Sequence, residues 1–311
     1  MKGERGQARR RLHEGLVGER ALVGAPYLAD PELRAAYVEE LAPRTIAALG
    51  RVFAGAGFTP VRRALDLGAG TGAAGEAVRA RFGAVEIVAV DRVAAPGVRV
   101  ADLARAGRPA GVEGRFELVV AAHLLNELPL TSAEKAERVA FWCHELLAPA
   151  GSCVIVEPAL RETSRALLEV RDRLVARGLH VAAPCFRQGP CPALARERDW
   201  CHDAAPPVAA DRSRVDFSYL VLRREGEAAT DPALYRVVSD RLEEKGRQRL
   251  YGCGPAGRHA LVRLTRERSV ANEAFEALER GDVVRVTGAQ HAGDGLRIER
   301  DSAVLRESNR G

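Results

Sequence analysis

Long apolar runs are missing from this chain: no segment approaches the roughly 18 consecutive apolar residues that a membrane span needs. Aromatic residues make up only 5% of it, with a single Met, so Ala, Val and Leu must supply the core. The Arg-rich start, MKGERGQARRRLHEGLVGER, has no apolar stretch of the secretory kind, and Glu4, Glu14 and Glu19 argue against a transit peptide. This arm is expected to be a solvated helix. A reducing, cytoplasmic setting without structural disulfides is expected with it. Internal repeats and low-complexity tracts are also absent.

The 311 residues, 47% of them hydrophobic, suffice for one large core or two modest ones. The net charge of +5 permits contact with nucleic acid without requiring it. Asp30 followed by Pro31 marks a helix start, and apolar residues then recur at helical spacing from Leu33 to Phe53, predicting a helix over 30–54. Strand-like runs follow at RALDLG, EIVAVD, GVRVAD, FELVVAAH and CVIVEP, with helices expected at 73–82, 132–147 and 161–177. Such alternation predicts an α/β fold with a parallel sheet covered on both faces. LHVAAP (179–184) and DFSYLVLRR (216–224) read as two further strands, the second with Phe217, Tyr219 and Val221 on one face. Beyond residue 225 the pattern is three short strands, a helix at 270–280 and two more strands, the order of an OB-type barrel. The chain thus divides into a helical region (1–60), a Rossmann-like domain (61–225) with a cysteine-rich insertion (184–215), and a small OB-like β domain (226–311).

Asp66-Leu-Gly68-Ala-Gly70-Thr-Gly72 leaves a buried strand and enters a helix. Glycines there allow a tight turn and close approach to a ligand, and the helix N-terminus favours an anionic group. Gly70, Gly72 and Gly75 also satisfy the dinucleotide pattern G-x-G-x-x-G, and Asp91, about twenty residues on, suits the ribose of either cofactor. Asp66, the Gly68–Gly72 spacing and the late strand pair favour S-adenosylmethionine over NAD. Asp102 is placed to contact an adenine amino group or to cap the following helix. His123, Asn126 and Glu127 follow the fourth strand, where ligands of parallel sheets bind, and Glu157 ends the fifth, facing the cleft or capping the next helix. The Asn/Asp-Pro-Pro-aromatic signature of amino-group methyltransferases and the Pro-Cys pair of pyrimidine methyltransferases are both lacking at the fourth strand, so no catalytic residue is assigned.

Cys143 and Cys153 read as small core residues. Cys185, Cys191 and Cys201 crowd into PCFRQGPCPALARERDWCH with spacing C-x5-C-x9-C, and Cys253 follows in YGCGPAG. Four thiolates there could hold zinc, with His202 as a further donor, or an iron–sulfur cluster. The segments LDLGAGTG, LLNEL, VIVEP, CFRQGPCP, DWCH and DFSYLVL resemble those of the methyltransferase-like proteins of the small ribosomal subunit, whose mitochondrial members assist its assembly. The resemblance spans about residues 64–253. It implies cofactor contacts at Gly68, Gly70, Gly72 and Asp91, and a structural 4Fe–4S cluster on Cys185, Cys191, Cys201 and Cys253. It also implies binding to small-subunit ribosomal RNA by a protein that is monomeric off the ribosome. The alternatives are an active S-adenosylmethionine-dependent RNA methyltransferase, and a small-molecule methyltransferase with a zinc-stabilised insertion.

Overall fold

The computed structural model describes residues 2–208, 213–293 and 295–307. Three helices come first: α1 (Lys2–Leu16), α2 (Pro31–Glu40) and α3 (Ala42–Gly55). α1 is not a solvated arm. Ala8 and Leu12, one turn apart, are buried against Leu33 and Ala36 of α2, and Arg9 pairs with Glu39 and Glu40. The helix expected over 30–54 is two. Asp30 caps α2, accepting from the Glu32 and Leu33 amides. The chain breaks at Leu41 because Pro43, in the first turn of α3, lacks the amide that would continue α2.

The first sheet contains β1 (Arg63–Leu67), β2 (Glu86–Asp91), β3 (Val98–Val100), β4 (Phe116–Ala122), β5 (Leu147–Pro158), β6 (His180–Ala183), β7 (Asp203–Ala205) and β8 (Val215–Arg223). Its order is β3-β2-β1-β4-β5-β8-β6, with β7 added beside β8. β3, β2, β1, β4 and β5 pair in parallel, and β8 lies antiparallel to both β5 and β6. This mixed α/β sheet with one reversed strand is the Rossmann-like arrangement expected. Phe217, Tyr219 and Val221 share one face with α3 and α4 (Ala73–Phe82), while Leu220 and Leu222 share the other with α5 (Ser132–Phe141) and α6 (Arg161–Ala176). Cys143 and Cys153 are fully buried in the second of these layers. The helix expected over 132–147 runs to Leu146: α5 passes into a π-helical turn over Trp142–Leu146 that buries Trp142 and Cys143, and β5 begins at once.

The second sheet holds β9 (Leu234–Val237), β10 (Leu242–Glu244), β11 (Arg247–Gly254), β12 (Gly257–Leu264), β13 (Val283–Thr287), β14 (Gln290–Ala292), β15 (Gly295–Ile298) and β16 (Ala303–Glu307). β9 pairs with β11 and β13, and β12 runs parallel to β15. Eight strands thus replace the five expected, because short segments such as β10 and β14 are polar and carry no apolar alternation. The helix expected at 270–280 is a 3-10 segment, Val270–Ala277, broken at Asn272. The buried Asn272 amide donates to the Glu267 and Glu299 carbonyls and so competes with helical bonding. The two sheets meet at Arg–Asp pairs: Arg236 of β9 with buried Asp203 of β7, Arg258 with Asp199 and Arg214 with Asp240. Among the described residues no helix is long and apolar enough to cross a membrane.

Candidate functional site

The turn after β1 folds back on β2. The Gly68 and Ala69 amides donate to the Val90 carbonyl, and the Gly70 amide donates to Asp91 Oδ2 at 2.8 Å. Gly70 has φ +52°, and a Cβ there would stand 3.2 Å from Leu28 Cδ1. Both the conformation and the close approach therefore require glycine. Above this turn lies a cavity of about 660 Å³, at the carboxyl ends of β1, β2 and β4. Gly68, Gly70, Asp91, Asp102, His123, Asn126 and Glu127 all line it.

Asp66 and Gly72 do not line it. Asp66 lies beneath the loop, 4% exposed, with Oδ1 lacking a partner among the described residues. Burial raises its pKa to about 7, against the Gly75 amide that favours its charge. Gly72 starts α4 in the left-handed conformation. These two residues shape the loop. Asp102 lines the cleft and accepts from the Ala104 amide at 2.9 Å within a turn; β4 is the next element after β3, so there is no following helix for it to cap.

The roof is the segment 23–28, which the sequence alone did not bring here. Arg92 donates to the Gly24 and Ala25 carbonyls, and the Tyr27 hydroxyl donates to Glu127 at 3.0 Å. Burial raises Glu127 to about 7 despite Tyr27 and Arg92. His123, at φ +57°, is lowered to about 4 by burial. Glu157 does not cap α6, whose N-cap is Leu160 and whose start has no side-chain cap. Its carboxylate accepts from the Leu125 and Asn126 amides at 2.8 and 3.1 Å, pinning the turn after β4.

Burial raises Glu157 to about 7 from an ordinary 4.5, outweighing those amides and Lys135. Between these pH values the folded state keeps a proton that the unfolded chain has released, so this group's contribution to stability falls as pH rises through that window. Glu157→Gln carries no such charge. Its melting temperature, measured against wild type from pH 5 to 8, should shift in the variant's favour as pH rises (roughly the window of a carboxyl so displaced). A difference that stays flat or runs the other way contradicts the assignment.

Cys185, Cys191, Cys201 and Cys253 line one small cavity of about 50 Å³ between the two sheets. Burial and the neighbouring thiols raise Cys191 to about 11 and Cys253 to about 12, and raise Cys201 further. Yet among the described residues no three His, Cys, Asp or Glu side chains are placed to hold a metal ion. His202 stacks on Trp200 with centroids 4.3 Å apart.

The insertion is held by arginines that sequence reading passed over. Arg171 of α6, 1% exposed, donates to the Gly189 and Arg187 carbonyls and to Asp172, whose carboxylate accepts from the Cys191 amide. Arg165 donates to the Ala193, Arg196 and Asp199 carbonyls. The signal was an arginine on the apolar stripe of α6, between Leu167 and Leu174, where a charge must have partners.

The sequence pattern of the family described as mitochondrial small ribosomal subunit Rsm22 matches residues 35–285. No curated protein matches the chain. Among solved structures, the neocarzinostatin-biosynthesis O-methyltransferase NcsB1, in complex with S-adenosylmethionine, is 15% identical, with TM-score 0.42, over 70% of this chain and 73% of that one. The calicheamicin-biosynthesis methyltransferase CalO1 is also 15% identical, with TM-score 0.39, over 71% and 69%. The mitomycin 7-O-methyltransferase MmcR is 15% identical, with TM-score 0.39; the match covers 63% of this chain and 58% of that protein, less than two thirds of its length.

Proposed function

Because the chain belongs to the mitochondrial small ribosomal subunit Rsm22 family, we propose that it is a methyltransferase-like, S-adenosylmethionine-binding protein that works on the small ribosomal subunit. The observation that carries the cofactor reading is the cleft over Gly68 and Gly70 with Asp91 at its edge. Backbone at Gly68 and Gly70 allows close approach of the cofactor, and Asp91 holds its ribose hydroxyls. Asp102 and Asn126 complete the contacts. When bound, the sulfonium supplies an electrophilic methyl group.

We further propose that Cys185, Cys191, Cys201 and Cys253 hold a structural 4Fe–4S cluster. Support comes from the four thiols sharing one cavity, walled by apolar residues such as Leu167, Leu168 and Leu220. Four thiolates supply one ligand for each iron of such a cluster, and the same set could instead hold one tetrahedral zinc. The second sheet is read as OB-type, supported by the pairing of β9 with β11 and β13 and the parallel run of β12 beside β15. Together with the arginine-rich insertion it forms the proposed ribosomal RNA surface.

Sedimentation with purified ribosomal subunits tests the partner. The protein should travel with small subunits in preference to large ones, and binding should weaken steeply with salt as phosphate contacts are screened. Equal association with both subunits, or with any polyanion, contradicts the reading.

A further inference from the structure

A second chamber, of about 70 Å³, lies beside the cleft at the carboxyl ends of β4 and β5, against the first turns of α6. Asn126 lines both spaces. The residue is held from three sides, twice at its side-chain amide and once at its backbone. Nδ2 donates to the His123 carbonyl at 2.9 Å, Oδ1 accepts from Arg20 Nη2 at 3.3 Å, and its backbone amide donates to Glu157. Among the described residues, Arg20 at φ +60° and His123 at φ +57° are the two non-glycine residues with positive φ. Both hold this one side chain. Such backbone strain persists where the surroundings over-determine it, and it clusters at ligand sites.

The chamber also holds unspent hydrogen-bonding capacity. Arg20 Nη1 is buried with no partner among the described residues. Lys135 reaches in from α5, and burial lowers its pKa. Glu162 stands on the first turn of α6, close enough to Lys135 to favour its charge. Glu157 already has both oxygens bonded. An inorganic dianion would meet Arg20 and Lys135 but also two carboxyl groups. A neutral, planar group with both donors and acceptors satisfies the set without facing a like charge, and the aliphatic side chains of α6 offer its face an apolar wall.

We propose that this chamber receives the edge of a nucleobase beside the bound cofactor, with Arg20 Nη1 donating to a base acceptor and Glu162 accepting from a base N–H. This rests on the cofactor reading and adds the acceptor's chemical class and the residues that recognise it. A base in this position would be turned out of any stack, as for other enzymes and factors that address single bases.

The four ribonucleosides and inorganic phosphate are titrated separately into the full-length protein, with and without S-adenosylhomocysteine, using ligand-observed NMR. At least one nucleoside should bind in the millimolar range. Arg20→Met, which loses a hydrogen bond to a charged group, should weaken it by roughly tenfold or more, and Glu162→Gln, which exchanges a charged acceptor for a neutral one, by roughly threefold or more. S-Adenosylhomocysteine affinity should stay within about twofold in Glu162→Gln, whose site adjoins the cofactor cleft only through Asn126. Glu162 is exposed on its helix, so this variant keeps the fold even if Arg20→Met does not. No nucleoside binding, nucleoside binding undiminished in Glu162→Gln, or binding of phosphate alone overturns the proposal. Nucleoside binding without any binding of S-adenosylhomocysteine leaves the chamber standing and removes the cofactor reading instead.

Discussion

Replacing any one of Cys185, Cys191, Cys201 or Cys253 with Ser should strip nearly all bound iron from anaerobically purified protein and abolish its brown colour. Cys143→Ser and Cys153→Ser should leave iron unchanged. The four thiols line one cavity between the sheets, whereas Cys143 and Cys153 lie in the packed layer under α5 and α6. In the metal-free protein the thiols at Cys191, Cys201 and Cys253 are raised by burial and by each other. Binding must therefore release protons, and cluster binding should strengthen as pH rises. The effect on folding should be graded. The insertion is not ordered by a cluster alone, since Arg165 and Arg171 hold its carbonyls and β7 pairs with β8. The Ser variants should consequently melt earlier yet retain the first sheet's circular dichroism. Iron content measured with acid-labile sulfide decides the matter. Colourless wild-type protein carrying one zinc per chain, unchanged by anaerobic reconstitution with iron and sulfide, would sink the cluster.

Gly70→Arg should abolish binding of S-adenosyl compounds while leaving the protein folded. Its φ of +52° is strained for any side chain. A Cβ would press on Leu28 in the roof, and the guanidinium would then occupy the cleft beside Asp91. Ligand stabilisation offers the readout. At a hundredfold excess over Kd a ligand adds about 2.7 kcal/mol to a wild-type fold, enough to raise the melting temperature by a few degrees. The variant should show no such rise at any accessible concentration. Gly83→Arg, also at positive φ but with open space around it, is the control for strain alone and should keep the ligand shift.

How much of this was legible beforehand varied with how local each signal was. The turn from Asp66 to Gly72 and the strands around it carry their own punctuation, and α4 falls on residues 73–82 as the spacing required. The alternation in DFSYLVLRR told which residues of β8 face which layer. Signals that depend on partners distant in sequence were lost. Nothing in residues 20–28 says that Tyr27 would meet Glu127, a hundred residues on, to roof the cleft. Pro43 could have divided the first long helix in two, but the apolar spacing ran through it. Asp66 looked like a ligand contact because it ends a strand beside the glycines, yet its side chain turns under the loop into the core. The cysteines were legible as a group because Pro- and Gly-rich sequence gives thiols no packing role. Of the arginines of α6 that organise their loop, Arg171 was signalled only by its place on the apolar stripe and Arg165 not at all, since helical arginines are ordinarily solvated.

Calorimetric titration of the wild-type protein with S-adenosylhomocysteine and, in parallel, with NAD tests the central claim most directly. One site per chain for S-adenosylhomocysteine, with no heat from NAD, is the result this structure leads us to expect; tight binding of NAD, or no binding of either, would contradict it.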